Sequence, residues 1–285
     1  MLIKMQNINN ILNIGCKYLK NSLIKSPKLD SEILLSHVLN KNLKEMILDY
    51  DFRAKDNDVK KFRSLINRRM TGEPIAYILK NKEFWKYNFY VDQNVLIPRP
   101  DTEIIIEEIL KILKKNQKNS VLDIGTGSGC IIISLAKELP KIYGTAIDIS
   151  KKAINVAKFN AKIHHIKNRI KFYNSSVDNF FKGKYDLIVS NPPYINNLKI
   201  KYLEKDIVGF EPLLSLKGGQ DGASVLNKVI KKSSSLIKIG GKLVLEIGYN
   251  QKYIVMDLLT KKKFYINKIV KDYSNNDRCI IATKL

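Results

Sequence analysis

Three short segments carry residue types whose spacing could do chemistry. In the first, Val121-Leu122-Asp123-Ile124-Gly125-Thr126-Gly127-Ser128-Gly129, an apolar run ends in alternating glycines and leads into a second apolar stretch over 130–136. The pattern predicts a buried strand, a tight turn and a helix, and glycines let the turn reach positive φ and approach a ligand closely. The Gly-x-Gly-x-Gly spacing departs from the Gly-x-Gly-x-x-Gly fingerprint of pyrophosphate sites, and many glycine turns only cap a helix. Asp148 strengthens the ligand reading. It closes the next apolar run, 143–147, about 20 residues past the turn, where a carboxylate can accept both ribose hydroxyls of an adenosyl group.

The third segment is Asn191-Pro192-Pro193-Tyr194, which follows the apolar run 185–190. Its two prolines fix φ and withdraw backbone donors, so the Asn191 amide oxygen and the Pro192 carbonyl are left as acceptors facing one spot. An amide or exocyclic amine held there would donate both N–H groups. Its nitrogen would then be drawn toward a pyramidal shape, with the lone pair aimed at an electrophile and Tyr194 flanking its plane. Asn-Pro-Pro could equally be a rigid turn after a strand. Its expected place at the carboxyl end of a strand beside the glycine turn favours a site, because open parallel sheets bind ligands there.

Together the segments spell methyl transfer from S-adenosylmethionine, whose sulfonium is a good leaving group. The protein would supply in-line positioning and acceptors matched to the charge developing on nitrogen. The Asn-Pro-Pro-Tyr motif holds no general base, and the proton released after methylation would go to water. No metal is called for. Cys16, Cys130 and Cys279 lie far apart with no CxxC pair, and His37, His164 and His165 have no ligand spacing.

The elements that must position these residues follow from periodicity. Apolar residues recur at helical spacing around Ile8, Ile11 and Leu12, again after Ser26-Pro27, around Leu43, Met46 and Ile47, and at Val59, Phe62, Leu65 and Ile66. Residues 1–80 therefore read as a small all-helical domain. Thr71-Gly72-Glu73-Pro74 breaks that pattern, and alternation from Glu83 to Val91 predicts a hairpin linker over 81–97, with 92–94 as turn material. From 98 to 285, apolar runs at 121–124, 143–147, 170–173, 187–189 and 243–247 alternate with helical segments, which argues for a doubly wound parallel α/β sheet. The runs 264–270 and 279–283 predict an antiparallel terminal pair at its edge.

Composition bounds the rest. The 285 residues carry 50 Lys and Arg against 27 Asp and Glu, a formal net charge of +23, with 45% hydrophobic residues, so disorder and fibrous repeats are excluded. No apolar run approaches the ~20 residues of a membrane span, and the chain reads as a cytoplasmic one. The excess charge is mostly Lys spread along the whole length, which suits solvated faces better than a single nucleic-acid patch. A basic surface nonetheless favours anionic partners.

The chain resembles the release-factor-specific protein-(glutamine N5) methyltransferases. The likeness runs through Glu73-Pro74-Ile75-Ala76-Tyr77-Ile78, Glu83-Phe84-Trp85, Leu96-Ile97-Pro98-Arg99-Pro100-Asp101-Thr102-Glu103, the glycine turn, Asn191 to Ile195, Phe210-Glu211-Pro212-Leu213, Asp272-Tyr273 and Asn276-Asp277-Arg278. Asn-Pro-Pro-Tyr alone is shared with methyltransferases of adenine and guanine amines, whereas Pro-Arg-Pro-Asp-Thr-Glu is far more discriminating. The resemblance implies a helical substrate-recognition domain, a hairpin linker and a class I, Rossmann-like methyltransferase domain. It also implies a substrate, the glutamine of the Gly-Gly-Gln loop of peptide-chain release factors. By this likeness Gly125, Thr126, Gly127, Ser128, Gly129, Asp148 and Asn191 would bind the cofactor. Asn191, Pro192, Pro193 and Tyr194 would hold the substrate glutamine, with Asn191, Pro192 and Tyr194 at the reacting atoms. Residues 98–103 would frame the pocket, with a structural ion pair as the other reading of Arg99.

One departure concerns the adenine. The family commonly has an acidic residue followed by a bulky one after the strand 170–173, where this chain has Ser176 and Val177. Ser176 can still accept from the adenine amine and Val177 can pack on the ring, at a loss of ~0.5–1.5 kcal/mol for one neutral hydrogen bond. Gly218-Gly219-Gln220 repeats the substrate motif inside the enzyme and reads as a loop.

The rival readings are an amino-methyltransferase of RNA or DNA bases, a ribosome- or RNA-binding module with a vestigial site, and, last, a nicotinamide oxidoreductase. The lead reading expects a monomer that needs no nucleic acid and no membrane.

Overall fold

The computed structural model describes residues 6–48 and 52–285 of the chain, which divide into two compact units, the described residues up to 80 with 204–210, and 81–203 with 211–285.

The first unit is built on α1 (Ile8–Asn21), α2 (Pro27–Leu39), α3 (Leu43–Leu48), α4 (Asp56–Met70) and α5 (Ile75–Leu79). The Asn7 side chain caps α1 by accepting from the Asn9 amide at 2.8 Å, and Pro27 opens α2 where a missing N–H costs nothing. The apolar stripes meet in one core of Ile8, Ile11, Leu34, Leu35, Phe62 and Ile66. A Cβ on Gly15 would come within 2.6 Å of the Phe62 ring and the Ser31 hydroxyl, so α1 packs against its neighbours at glycine distance. One detail departs from an all-helical reading. Gln6–Asn7 (β1) pairs antiparallel with Arg53–Ala54 (β2), strands of two residues that are too short to leave a period. Helix α5 starts directly after the Pro74 breaker and has only five residues.

In the second unit a hairpin of β3 (Lys82–Phe84) and β4 (Tyr87–Phe89) turns at Trp85, whose φ is +59°. Phe84 and Phe89 are buried in this unit's core. The sheet follows: α6 (Glu103–Ile112), β5 (Asn119–Ile124), α7 (Cys130–Glu138), β6 (Ile142–Asp148), α8 (Lys151–Ile163), β7 (Ile170–Asn174) and β8 (Tyr185–Ser190). Helix α9 (Lys205–Phe210) clusters with the first unit, and the chain resumes with α10 (Ser224–Leu236), β9 (Ile237–Glu246), α11 (Lys252–Lys261), β10 (Phe264–Lys271) and β11 (Asp277–Lys284).

The seven strands lie in the order β10-β11-β9-β8-β5-β6-β7. The five from β9 to β7 are parallel, and β11 is antiparallel to both its neighbours. Strand β9 begins six residues before the apolar run 243–247 that signals it, because its first half, Lys238-Ile239-Gly240, is exposed and joins the ladder through a register shift. Side-chain alternation sorts the core into two layers. Val121, Val189 and Val244 face α6 and α7, while Leu122, Ile188 and Leu243 face α10 and α11. A sheet covered on both faces explains why its strands read as continuous apolar runs. Among the described residues no helix is long and apolar enough to cross a membrane.

Candidate active site

Strand register brings the singled-out segments to one edge. Ile124 is level with Ile147 and Ser190, Asp148 with Asn174, and Ser190 with Leu245. The residues that leave these carboxyl ends are Gly125, Asp148, Ser175, Asn191 and Glu246.

The glycine turn is pinned from behind. The Gly125 and Thr126 amides both donate to the Ile147 carbonyl, at 2.9 and 3.0 Å, and the Thr126 hydroxyl donates to Asp123 Oδ2 at 2.6 Å. Gly125 and Gly127 have φ of +75° and +55°, and a Cβ on either would enter open space. Gly129 differs. Its Cβ would meet Ile133 at 2.8 Å and Ala157 at 3.2 Å, so this glycine lets α7 and α8 pack. The Ser128 carbonyl accepts from Asn160 at 2.8 Å.

Asp148 accepts from the Gly127 amide at Oδ2 and from the Ser150 amide at Oδ1, both at 2.9 Å. Each carboxylate oxygen retains a lone pair, enough for two hydroxyls of one sugar. Burial pushes the Asp148 pKa up against those two amides. Burial also pushes fully buried Asp123 up to about 7, with the Thr126 hydrogen bond opposing and Asp148 adding. Asp123 Oδ1 and Ser128 Oγ are buried without a partner among the described residues. Open space over two positive-φ glycines, unspent acceptors on Asp148 and unpartnered polar atoms beside the turn fit an adenosyl group.

Beyond β7, the Ser175 amide donates to the Asp148 carbonyl at 3.0 Å, which ties Ser176 and Val177 to the same edge. Val177 packs partly buried on the α10 and α11 layer. Asp178, next in the chain, pairs with Lys228 at 3.2 Å.

At the end of β8, Asn191 Nδ2 donates to Thr102 Oγ1 at 3.1 Å, and Thr102 donates onward to Glu246 Oε2 at 2.7 Å. The Tyr194 hydroxyl donates to Glu246 Oε1 at 3.2 Å and accepts from Arg278 at 3.3 Å. Arg278 is itself held by Asp272 at 2.8 Å. Burial, then the Glu246 charge, holds the Tyr194 phenol far above its ordinary pKa, so it is neutral. Burial raises Glu246 to about 7 against the Thr102 hydrogen bond and the Arg278 charge. The Asn-Pro-Pro-Tyr backbone rests on the Gly218-Gly219-Gln220 loop: the Gly218 amide donates to Ile195 at 2.8 Å, and Cβ atoms on Gly218 or Gly222 would strike the Tyr194 backbone at 2.7 Å. Gln220 is exposed. Arg99 forms an ion pair with buried Glu211.

Sequence reasoning missed Glu246. Its one signal is a lone carboxylate closing a buried strand, the same position that Asp148 holds on β6.

A doubly wound sheet with an antiparallel terminal pair, and a glycine turn, a ribose-competent aspartate and Asn-Pro-Pro-Tyr at successive strand ends, defines a class I methyltransferase. Residues 10–79 match the PrmC N-terminal domain and residues 103–209 the methyltransferase small domain. The release factor glutamine methyltransferase of Buchnera aphidicola subsp. Acyrthosiphon pisum is 39% identical over 94% of this chain and 98% of its own length. A bifunctional methyltransferase of Rickettsia typhi is 35% identical over 96% of this chain, which spans 57% of that longer protein. In fold, the ribosomal protein L11 methylase from Lactobacillus delbrueckii subsp. bulgaricus is similar at a TM-score of 0.52 and 21% identity, over 67% of this chain and 81% of its own. The chain belongs to the release factor glutamine methyltransferase family.

Proposed function

We propose that this protein transfers the methyl group of S-adenosylmethionine to the side-chain amide nitrogen, N5, of the glutamine in the Gly-Gly-Gln loop of peptide-chain release factors. When bound, the cofactor supplies an electrophilic methyl group on a sulfonium leaving group. Gly125, Thr126, Gly127, Ser128 and Gly129 cradle it, Asp148 holds its ribose, Ser176 and Val177 border its adenine, and Asn191 closes the pocket. Asn191, Pro192, Pro193 and Tyr194 grip the glutamine amide. The observation that carries this reading is the state of Asn191: one N–H of its NH2 group donates to Thr102, which fixes the amide so that its oxygen is the acceptor for a substrate N–H.

A donated N–H weakens amide delocalisation and stabilises the positive charge that nitrogen gains during transfer, the kind of preorganised acceptor that lowers a barrier. Half-buried Tyr194, neutral and fixed by Glu246, walls the plane of the amide. The helical unit docks the release factor, and the enzyme acts as a cytoplasmic monomer that needs neither nucleic acid nor membrane.

The test offers methyl-labelled S-adenosylmethionine with, separately, an intact release factor, the same factor with its loop glutamine changed to alanine, RNA and DNA. Label in the intact factor alone is expected. Label in nucleic acid alone would move the substrate to a base amine and keep the fold and cofactor.

A further inference from the structure

We propose that Glu246 and Thr102 are positioning residues that fix which end of the Asn191 side chain faces the substrate. The proposal rests on the reading of Asn191 as the residue that grips the substrate amide, and goes beyond it by assigning the cause of its orientation.

Both residues are 2% exposed, and neither is open to a substrate. An ionised carboxylate only accepts hydrogen bonds. The Thr102 hydroxyl has one hydrogen, and Glu246 Oε2 takes it at 2.7 Å. What remains on Thr102 Oγ1 are lone pairs, so the atom of Asn191 that lies 3.1 Å away has to be the donor, Nδ2. Turning the amide over would set two acceptor oxygens against each other. The direction of the chain, from Asn191 to Thr102 to Glu246, is thus imposed by the charge at its buried end, and it delivers Asn191 Oδ1 as the outward acceptor. Among the described residues no group donates to that oxygen. Hydrogen bonds in series polarise one another, so the Glu246 charge also strengthens Oδ1 as an acceptor. The other carboxylate oxygen takes the Tyr194 hydroxyl at 3.2 Å, and one buried group therefore holds both ends of Asn-Pro-Pro-Tyr.

The charged and titratable neighbours of Glu246 are the Arg278 guanidinium, the Tyr194 phenol and the Asp101 carboxylate, with the Cys130 and Cys279 thiols facing it from α7 and β11. Burial brings the Glu246 titration to about 7. Once protonated, Glu246 can donate to Thr102, the Thr102 hydrogen is freed, and the amide can turn over. The charge imposes the orientation above that pH and no longer imposes it below.

The experiment measures release-factor methylation by the full chain as wild type, Thr102→Val, Thr102→Ser and Glu246→Gln. Valine keeps the volume of threonine and removes the hydroxyl. Loss of a charge-linked hydrogen bond is expected to lower kcat roughly 10- to 100-fold, with KM for the factor and Kd for the cofactor within about threefold. Serine restores the hydroxyl and should return kcat to within about threefold of wild type. Wild-type kcat should rise through pH about 7, whereas Glu246→Gln, with Asp123 untouched, should stay low and flat. A valine variant as fast as wild type, a serine variant no better than valine, or a glutamine variant that keeps the pH step overturns the proposal. If wild type itself leaves the factor unlabelled, the substrate reading fails with it. That result is distinct from the case in which wild type labels the factor and the valine variant keeps pace.

Discussion

The Gly127 amide donates to the Asp148 carboxylate at 2.9 Å, so the turn at the end of β5 and the acid at the end of β6 are one rigid unit. The acid that is expected to take the ribose also sets the shape of the glycine cradle. Asp148→Ala therefore removes two things at once and frees the Ser150 amide as a third. Cofactor Kd by titration calorimetry should rise roughly 10- to 100-fold, while kcat at saturating cofactor changes by less than about fivefold. An unchanged Kd would remove Asp148 from the cofactor site.

Asn191→Ala separates binding from chemistry. Deleting the acceptor meant for the charge that builds on nitrogen should lower kcat by about 100- to 1000-fold. The cradle is anchored through Ile147 and Asp148, so cofactor Kd should stay within a few-fold. Normal turnover in this variant would take the motif out of the mechanism.

These residues were legible because each belongs to a local pattern. Residues 121–129 show a strand, a turn and a helix in one window, Asp148 closes an apolar run, and Asn191 to Tyr194 carry two prolines that no strand interior admits. Thr102 and Glu246 were not legible as partners. They lie 144 residues apart and meet because α6 packs beside β9, and each alone reads as a helix start or a strand end. The pairing of β1 with β2 and the clustering of 204–210 with the helical unit were hidden for the same reason. Periodicity reports the partner-facing side of an element and is silent about which partner it faces.

The loop 218–222 yields a prediction about support. At Gly218 a methyl group would meet the Tyr194 backbone at 2.7 Å and the Gly222 carbonyl at 2.7 Å, and neither is a flexible side chain that could swing aside. Gly218→Ala should cost about 1–3 kcal/mol of stability, as overpacking does, and lower kcat by displacing Tyr194. Thermal melts and kinetics on the same preparation check both. Exposed Gln220 in the same loop should carry no methyl group by mass spectrometry. A stoichiometric one would mean that the enzyme modifies itself.

Two buried carboxylates give the fold a pH signature. Asp123 and Glu246 are raised to about 7 in the folded state from ordinary values of 3.8 and 4.5. Between those limits the folded chain binds more protons than the unfolded one, so both groups make stability fall as pH rises from about 4.5 to 7, by up to about 1.4 kcal/mol per pH unit each. Asp123→Asn removes one of the two contributions, and its melting temperature should vary less steeply with pH over that window than that of wild type. Equal slopes in the two proteins would count against a raised Asp123.

The last strand of the sheet is not its edge. Strand β10 has a single partner, β11, and β11 fills the gap between β10 and β9. As the polypeptide leaves the ribosome, β10 therefore emerges with nothing to pair with, and β9 keeps an open flank until β11 arrives. Arg278, the donor to Tyr194, rides on that same strand. The surroundings of Tyr194 are therefore complete only once β11 has taken its place between β10 and β9.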